Sequence, residues 1–205
     1  RRQRQMCIRD SDVPQETAGA AELHLTVTET GFGKREETVL FGTGDGRAMF
    51  YTEGQTLSVD VVESQSNGYL SEKWTNLTDA GEAGSPNNDG SASTDFPVFR
   101  LADVYLMLAE AVVRGGEGSS RSAALGYVNE LRMRAFGNDS GNITDGQMTA
   151  DFILDERGRE LYMECVRRTD LIRYGKFTTA SYLWQWKGGT KAGQAVDSKF
   201  NIYPI

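Results

Sequence analysis

The sequence predicts a mainly α-helical chain with irregular and short β segments, and three observations lead there. Apolar residues recur at helical spacing from Phe99 to Gly116 and again over about Arg121–Phe136, with a glycine-rich link between. Asp151–Phe177 carries the same period through a long, highly charged stretch without proline. Upstream of Pro97 the pattern changes to short alternating runs interrupted by glycine, serine and asparagine, the marks of strands and turns.

Taken in chain order, Arg1–Ser11 stands apart. Met6-Cys7-Ile8-Arg9-Asp10-Ser11 matches one reading frame of a common transposon-adapter oligonucleotide, so residues 1–11 are read as a sequencing artefact without a structural role. The rival reading is a basic arm for nucleic acid, from four arginines within nine residues. Residues 12–98 form a strand- and loop-rich part. Glu22–Thr28 alternates, with Leu23, Leu25 and Val27 on one face, and Glu37–Phe41, Ala48–Thr52, Leu57–Glu63 and Tyr69–Leu77 are further strand candidates. Ala80–Asp95 is poor in apolar residues and reads as a loop.

Residues 99–205 form the helical part. Leu101, Val104, Tyr105, Leu108 and Val112 make the stripe of the first helix, which Gly115-Gly116 stops. Leu125, Val128, Leu131 and Ala135 make the stripe of the second, and Ala109, Ala111, Ala123 and Ala124 permit a close antiparallel approach. Such a pair has the size of one tetratricopeptide-type unit, although the consensus tryptophan and proline of that repeat are missing. The third helix runs through Asp151–Phe177 with Ile153, Leu154, Leu161, Cys165, Ile172 and Tyr174 as its stripe, which makes Cys165 a small buried hydrophobe. Tyr182–Gly189 and Phe200–Ile205 close the chain as extended segments, and Trp184 and Trp186 pack there.

The charges of that third stretch leave two readings. Glu156, Glu160 and Glu164 stand four apart, with Arg157, Arg159, Arg167, Arg168 and Arg173 threaded among them. A solvated, salt-laced helix is one reading. The other is a partly buried network in which Glu156, Arg157, Glu160 and Arg168 dock this helix on the first two, an arrangement that is costly unless every partner is present.

Composition excludes several functions. A formal charge of −7 argues against nucleic acid or anionic lipid as principal partner. No charged run followed by an apolar core marks an export signal, and no apolar run approaches the ~20 residues of a membrane helix. With His24 as the sole histidine and no Gly-x-Ser-x-Gly elbow, serine- or cysteine-histidine catalysis and a multi-histidine metal site find no support. Gly42-Thr43-Gly44-Asp45-Gly46-Arg47 fails both nucleotide-loop patterns and reads as a turn. Ser85, Asn87, Asp89 and Gly90 match the first half of a calcium loop, but Phe96 stands where a bidentate glutamate is required. No cofactor and no metal are expected.

The wording of three segments carries more than periodicity does. Phe99–Gly116 (FRLADVYLMLAEAVVRGG), Glu156–Phe177 (ERGRELYMECVRRTDLIRYGKF) and the ending Tyr203-Pro204-Ile205 resemble, in order and spacing, the SusD/RagB family. Asp45 and Arg47, followed by Phe50, loosely resemble the family's Asp-x-Arg segment. The resemblance implies a tetratricopeptide-like helical scaffold of the SusD type, here as a partial, C-terminal chain. It further implies a surface-exposed outer-membrane lipoprotein that captures a nutrient, expected to be an oligosaccharide, for a TonB-dependent transporter, without catalysis. The lipid anchor would then lie on a missing N-terminal part, and Cys7 has no such context.

For a glycan binder the informative residues are aromatics with polar neighbours, because sugar rings stack on flat faces while their hydroxyls need groups at the rim. Tyr51, Tyr69 and Trp74, near Asn67, Lys73 and Asn76, are the ligand-binding candidates, with Trp74 first. Two rivals stand beside this reading: a polysaccharide hydrolase, whose paired carboxylates cannot be recognised from spacing, and a helical-repeat adaptor without a small ligand.

Overall fold

Helices begin where the sequence supplies caps. In the computed structural model α1 spans Leu101–Val113, α2 Arg121–Phe136, α3 Ala150–Leu161 and α4 Arg167–Arg173. Ser120 Oγ accepts the Ala123 amide and Thr149 Oγ1 the Phe152 amide, each at 3.1 Å, which satisfies donors that the first turns of α2 and α3 leave open. Gly137 ends α2 in the left-handed region with φ 72°, a conformation glycine adopts at little cost. The structure describes residues 40–57, 60, 64, 66–75, 80, 96–177, 186–187 and 190–191. These fall in two compact units: residues 49–97 belong to one, and residues 40–48 join those from Val98 onward in the other.

The larger apolar cluster of the helical unit joins α1, α2 and α3, and a smaller one joins Leu154 to Leu171 of α4. Ala102, Leu106 and Ala109 of α1 meet Ala124, Val128 and Leu131 of α2, and Ile143, Met148 and Ile153 complete the cluster. The stripe predicted for α1 is therefore rotated. Leu101 and Val104 are 54% and 49% exposed, and the alanines take the inner face because their small side chains let α2 approach. Of the four alanines expected to line that approach, Ala109 and Ala124 are buried while Ala111 and Ala123 are exposed. Between α2 and α3 two short 3-10 turns, Asp139–Gly141 and Asp145–Gln147, bring Ile143 and Met148 into the core. Gly141 packs flat under Phe136: a Cβ added there would lie 2.3 Å from its ring.

The long third helix predicted over 151–177 is two helices. After Leu161 the chain leaves helical geometry, Tyr162 becomes extended, and Met163 and Cys165 both adopt φ of 60°. No glycine or proline marks the break, because tertiary partners impose it. The Tyr162 hydroxyl donates to the Arg47 carbonyl at 2.8 Å, and its ring meets Phe41 edge-on at 5.6 Å. Arg100 donates to the Glu160 carbonyl at the end of α3 and to the Glu164 carboxylate at 2.6 and 2.8 Å. The turn carries Cys165 to the surface, so the expectation of a buried cysteine is corrected.

In the other unit β1 (Phe50–Tyr51) pairs antiparallel with β2 (Leu70–Ser71). A bridge between Thr56 and Asn67 extends the contact, and Asn67 accepts the Asp60 amide at 2.8 Å while donating to Ser64 Oγ at 3.1 Å. In the helical unit a short antiparallel pair joins β3 (Trp186–Lys187) to β4 (Thr190–Lys191). The strands expected around 22–28, the calcium-like loop apart from Phe96, Trp184, His24 and the 1–11 segment lie outside the described residues. No helix among the described residues is long and apolar enough to cross a membrane.

Candidate functional site

The charged residues of α3 are mostly buried. From Glu156 to Leu161 every residue is inside, so this helix has no solvated charged face over that stretch. Glu156 takes Arg47 at 2.8 Å, Arg132 of α2 at 2.6 Å and Arg159 at 2.7 Å. Glu160 takes Arg47 at 3.1 Å together with Arg100 and Arg134. Arg157 bridges Asp103 of α1 and Asp170 of α4, both at 2.7 Å. Burial alone would push the Glu156 carboxyl up, but the guanidiniums of Arg159, Arg47 and Arg132 outweigh it and hold the group down at about 2. Glu160 is held low in the same way, by Arg134, Arg100 and Arg47 against its own burial.

Arg168 is placed differently from the expectation. It is exposed, and its guanidinium lies 5.1 Å from the centroid of Phe177. Besides Arg159, the partners of Glu156 and Glu160 are Arg47, Arg100, Arg132 and Arg134, all from outside the third charged stretch. Asp45 orients Arg47 by accepting from its Nε at 2.8 Å and its Nη2 at 2.7 Å, leaving Nη1 for the two glutamates. The segment read as a plain turn thus holds the arginine at the centre of the cluster.

The aromatic candidates are not gathered at one place. Tyr51, 40% exposed, is paired with Leu70 across the ladder, and the period of two sends the neighbouring Tyr69 to the opposite face. Trp74 is half-buried, and its ring lies 5.6 Å from that of Phe96 at an interplanar angle of 31°. Lys73, expected at a polar rim, is buried with its Nζ 5.9 Å from the Trp74 centroid. Sequence reading named Phe96 only as the residue that breaks the calcium-like loop and did not pair it with Trp74.

The model of the SusD family matches residues 29–204. The chain belongs to the SusD family. It is 36% identical over 200 residues, 96% of its length, to the starch-binding protein SusD of Bacteroides thetaiotaomicron. It spans 34% of that relative's length. Among solved structures, a SusD superfamily protein from Bacteroides vulgatus is 29% identical with a TM-score of 0.48, covering 72% of this chain and 28% of its own. Surface glycan-binding protein A from Bacteroides thetaiotaomicron, solved with laminarihexaose, is 25% identical with a TM-score of 0.47, covering 67% and 30%.

Within this SusD-family chain the ion cluster occupies the segments that carry the resemblance. Arg100, Glu110, Glu156, Arg157, Glu160, Glu164, Asp170 and Arg173 are all in hydrogen-bonded ion pairs. In this chain these residues form an internal framework, and their chemistry is mutual neutralisation.

Proposed function

We propose that this chain is part of a surface nutrient-binding protein that captures glycan oligosaccharides at the outer membrane and passes them to a TonB-dependent transporter without covalent chemistry. The observation that carries the reading is the 36% identity to a starch-binding SusD over nearly the whole chain. The charge balance fits: a chain of net charge −7 is suited to a ligand other than a polyanion. Aromatic surface is available for stacking at Trp74, with Tyr51 and Tyr69 as further candidate contacts. The helical unit is the part that faces the transporter, and the exposed apolar row of Leu101, Val104 and Met107 on α1 is of the kind that marks a protein contact.

Glu156 and Glu160 are unsuited to the acid role of a hydrolase. A general acid must hold a proton near neutral pH, and Glu156 and Glu160 are ionised by surrounding arginines and closed to solvent. The test is co-purification of the intact protein with the transporter encoded beside it, paired with a reducing-sugar assay on starch. Recovery of the complex with no sugar release is expected. Release of reducing ends, or a protein that never associates with a transporter, would overturn the proposal.

A further inference from the structure

We infer that Glu160 is a clasp that couples the two points at which the chain leaves and re-enters the helical unit, so that loosening one of them loosens the other. The chain passes to the strand unit after Ala48 and returns at Val98. Arg47 stands just before that excursion and Arg100 just after it, and one carboxylate holds both. Arg47 donates its Nη1 to Oε2 of Glu160 at 3.1 Å, and Arg100 donates its Nη1 to Oε1. The Glu160 side chain is wholly shielded from water, and those of Arg47 and Arg100 are 3% and 16% exposed. In that setting a lost partner is not replaced by water without a large cost. A shift of one arginine is therefore taken up by the carboxylate that it shares with the other.

The neighbouring glutamates do a different job. Glu156 takes Arg47 at 2.8 Å, and Glu164 takes Arg100 through Nε at 2.6 Å and Nη2 at 2.8 Å. Those contacts anchor each end by itself, whereas a shared acceptor makes the two ends depend on each other. Backbone is tied in on both sides. The Gly46 amide donates to the Ala135 carbonyl at 2.8 Å, and the Arg100 carbonyl accepts the Asp103 amide at 3.0 Å in the first turn of α1. Arg100 precedes α1 in extended geometry, and its side chain does not cap that helix but reaches the Glu160 carbonyl at the end of α3. The exit of the chain is thereby linked to the start of α1. The coupling lies inside the helical unit and holds whatever ligand the protein takes.

Residue-resolved hydrogen exchange of the intact protein tests this. Arg47→Lys keeps the charge and loses the planar fork. It should speed exchange of the Asp103 and Val104 amides, at the far end, by at least about threefold, as residues within one ion-pair network do. Arg100→Lys should do the same to the Gly46 and Ala48 amides. In Glu160→Gln both ends should exchange faster from the outset, and adding Arg47→Lys should leave Asp103 and Val104 where Glu160→Gln put them. Val128 and Leu131, in the core of α2, should keep their wild-type protection throughout, which separates local loosening from unfolding. Arg134, the third arginine on Glu160, has a side chain 40% exposed. Arg134→Ala should loosen Glu160 and speed both ends together, which covers the case in which a lysine variant is poorly folded. Wild-type exchange at Asp103 and Val104 in a folded Arg47→Lys protein, or a cross effect that survives Glu160→Gln, would show two independent anchors and overturn the inference. So would an Arg134→Ala protein in which only one end, or neither, exchanges faster.

Discussion

Arg47 and Glu156 are 109 positions apart in sequence and meet at 2.8 Å, both almost completely shielded from water. The contact fastens the segment before β1 onto the third helix. It works because Asp45 occupies the rest of the guanidinium and Arg132 and Arg159 occupy the rest of the carboxylate. A buried pair with every valence filled can persist; the same pair with one partner removed leaves an uncompensated charge.

Arg157→Ala is the plainest test of that asymmetry. Its loss leaves Asp170, which is 1% exposed, with Arg173 alone of its two arginine partners, and frees Asp103. The variant should lose about 3–5 kcal/mol in denaturant unfolding. Lys176→Ala removes a pair to Asp151 that is 3.5 Å long and largely open to solvent, and should cost about 0–1 kcal/mol. Equal losses in the two variants would show that burial of the charges is not what matters.

Glu156 also sets an acid limit. Its carboxyl is held at about 2 in the folded chain, against about 4.5 for an ordinary glutamate. Because the folded value is depressed, the unfolded state binds more protons between these two pH values, and stability rises with pH there. The contribution is complete above about pH 4.5 and is lost as pH falls toward 2. Glu156→Gln should therefore lower stability by about 3–5 kcal/mol at pH 7 and flatten the profile between pH 4.5 and 2. Urea midpoints measured across that range check both.

Gly141→Ala should destabilise by about 1–3 kcal/mol through overpacking. The added methyl would meet the Phe136 ring at 2.3 Å, and the glycine is held near by its carbonyl, which accepts from Arg132. Pairing the change with Phe136→Leu should recover part of the loss in thermal melts. No recovery would place the strain elsewhere.

Much of the helical unit was legible from periodicity, and the failures have physical causes. α2 runs from Arg121 to Phe136 as its apolar spacing indicates, and the structure adds the local cap at Ser120 and stop at Gly137. The face of α1 was misread because alanine weighs little in a hydrophobic count, yet Ala102 and Ala109 decide which side faces α2. The break after Leu161 was invisible because it is set by Arg100 and Tyr162 through non-local hydrogen bonds. Arg47 was passed over as part of a turn for the same reason: its glutamates are more than a hundred residues away. The contact of Trp74 with Phe96 was not legible, since it requires the fold that brings the two rings together.

The break has a chemical readout. Cys165 is exposed in a turn, where a continuous helix would have buried it. Iodoacetamide should label Cys165 in the native protein at a rate near that of the urea-unfolded chain, read by peptide mass spectrometry. Protection until unfolding would restore the continuous helix.

The central claim is capture without turnover, and gel-retardation electrophoresis of the intact protein through amylopectin, followed by a reducing-end assay of the same sample, tests it most directly. The account predicts a concentration-dependent retardation by the polysaccharide and no new reducing ends. Unretarded migration through both amylopectin and laminarin, or accumulation of reducing ends, would contradict it.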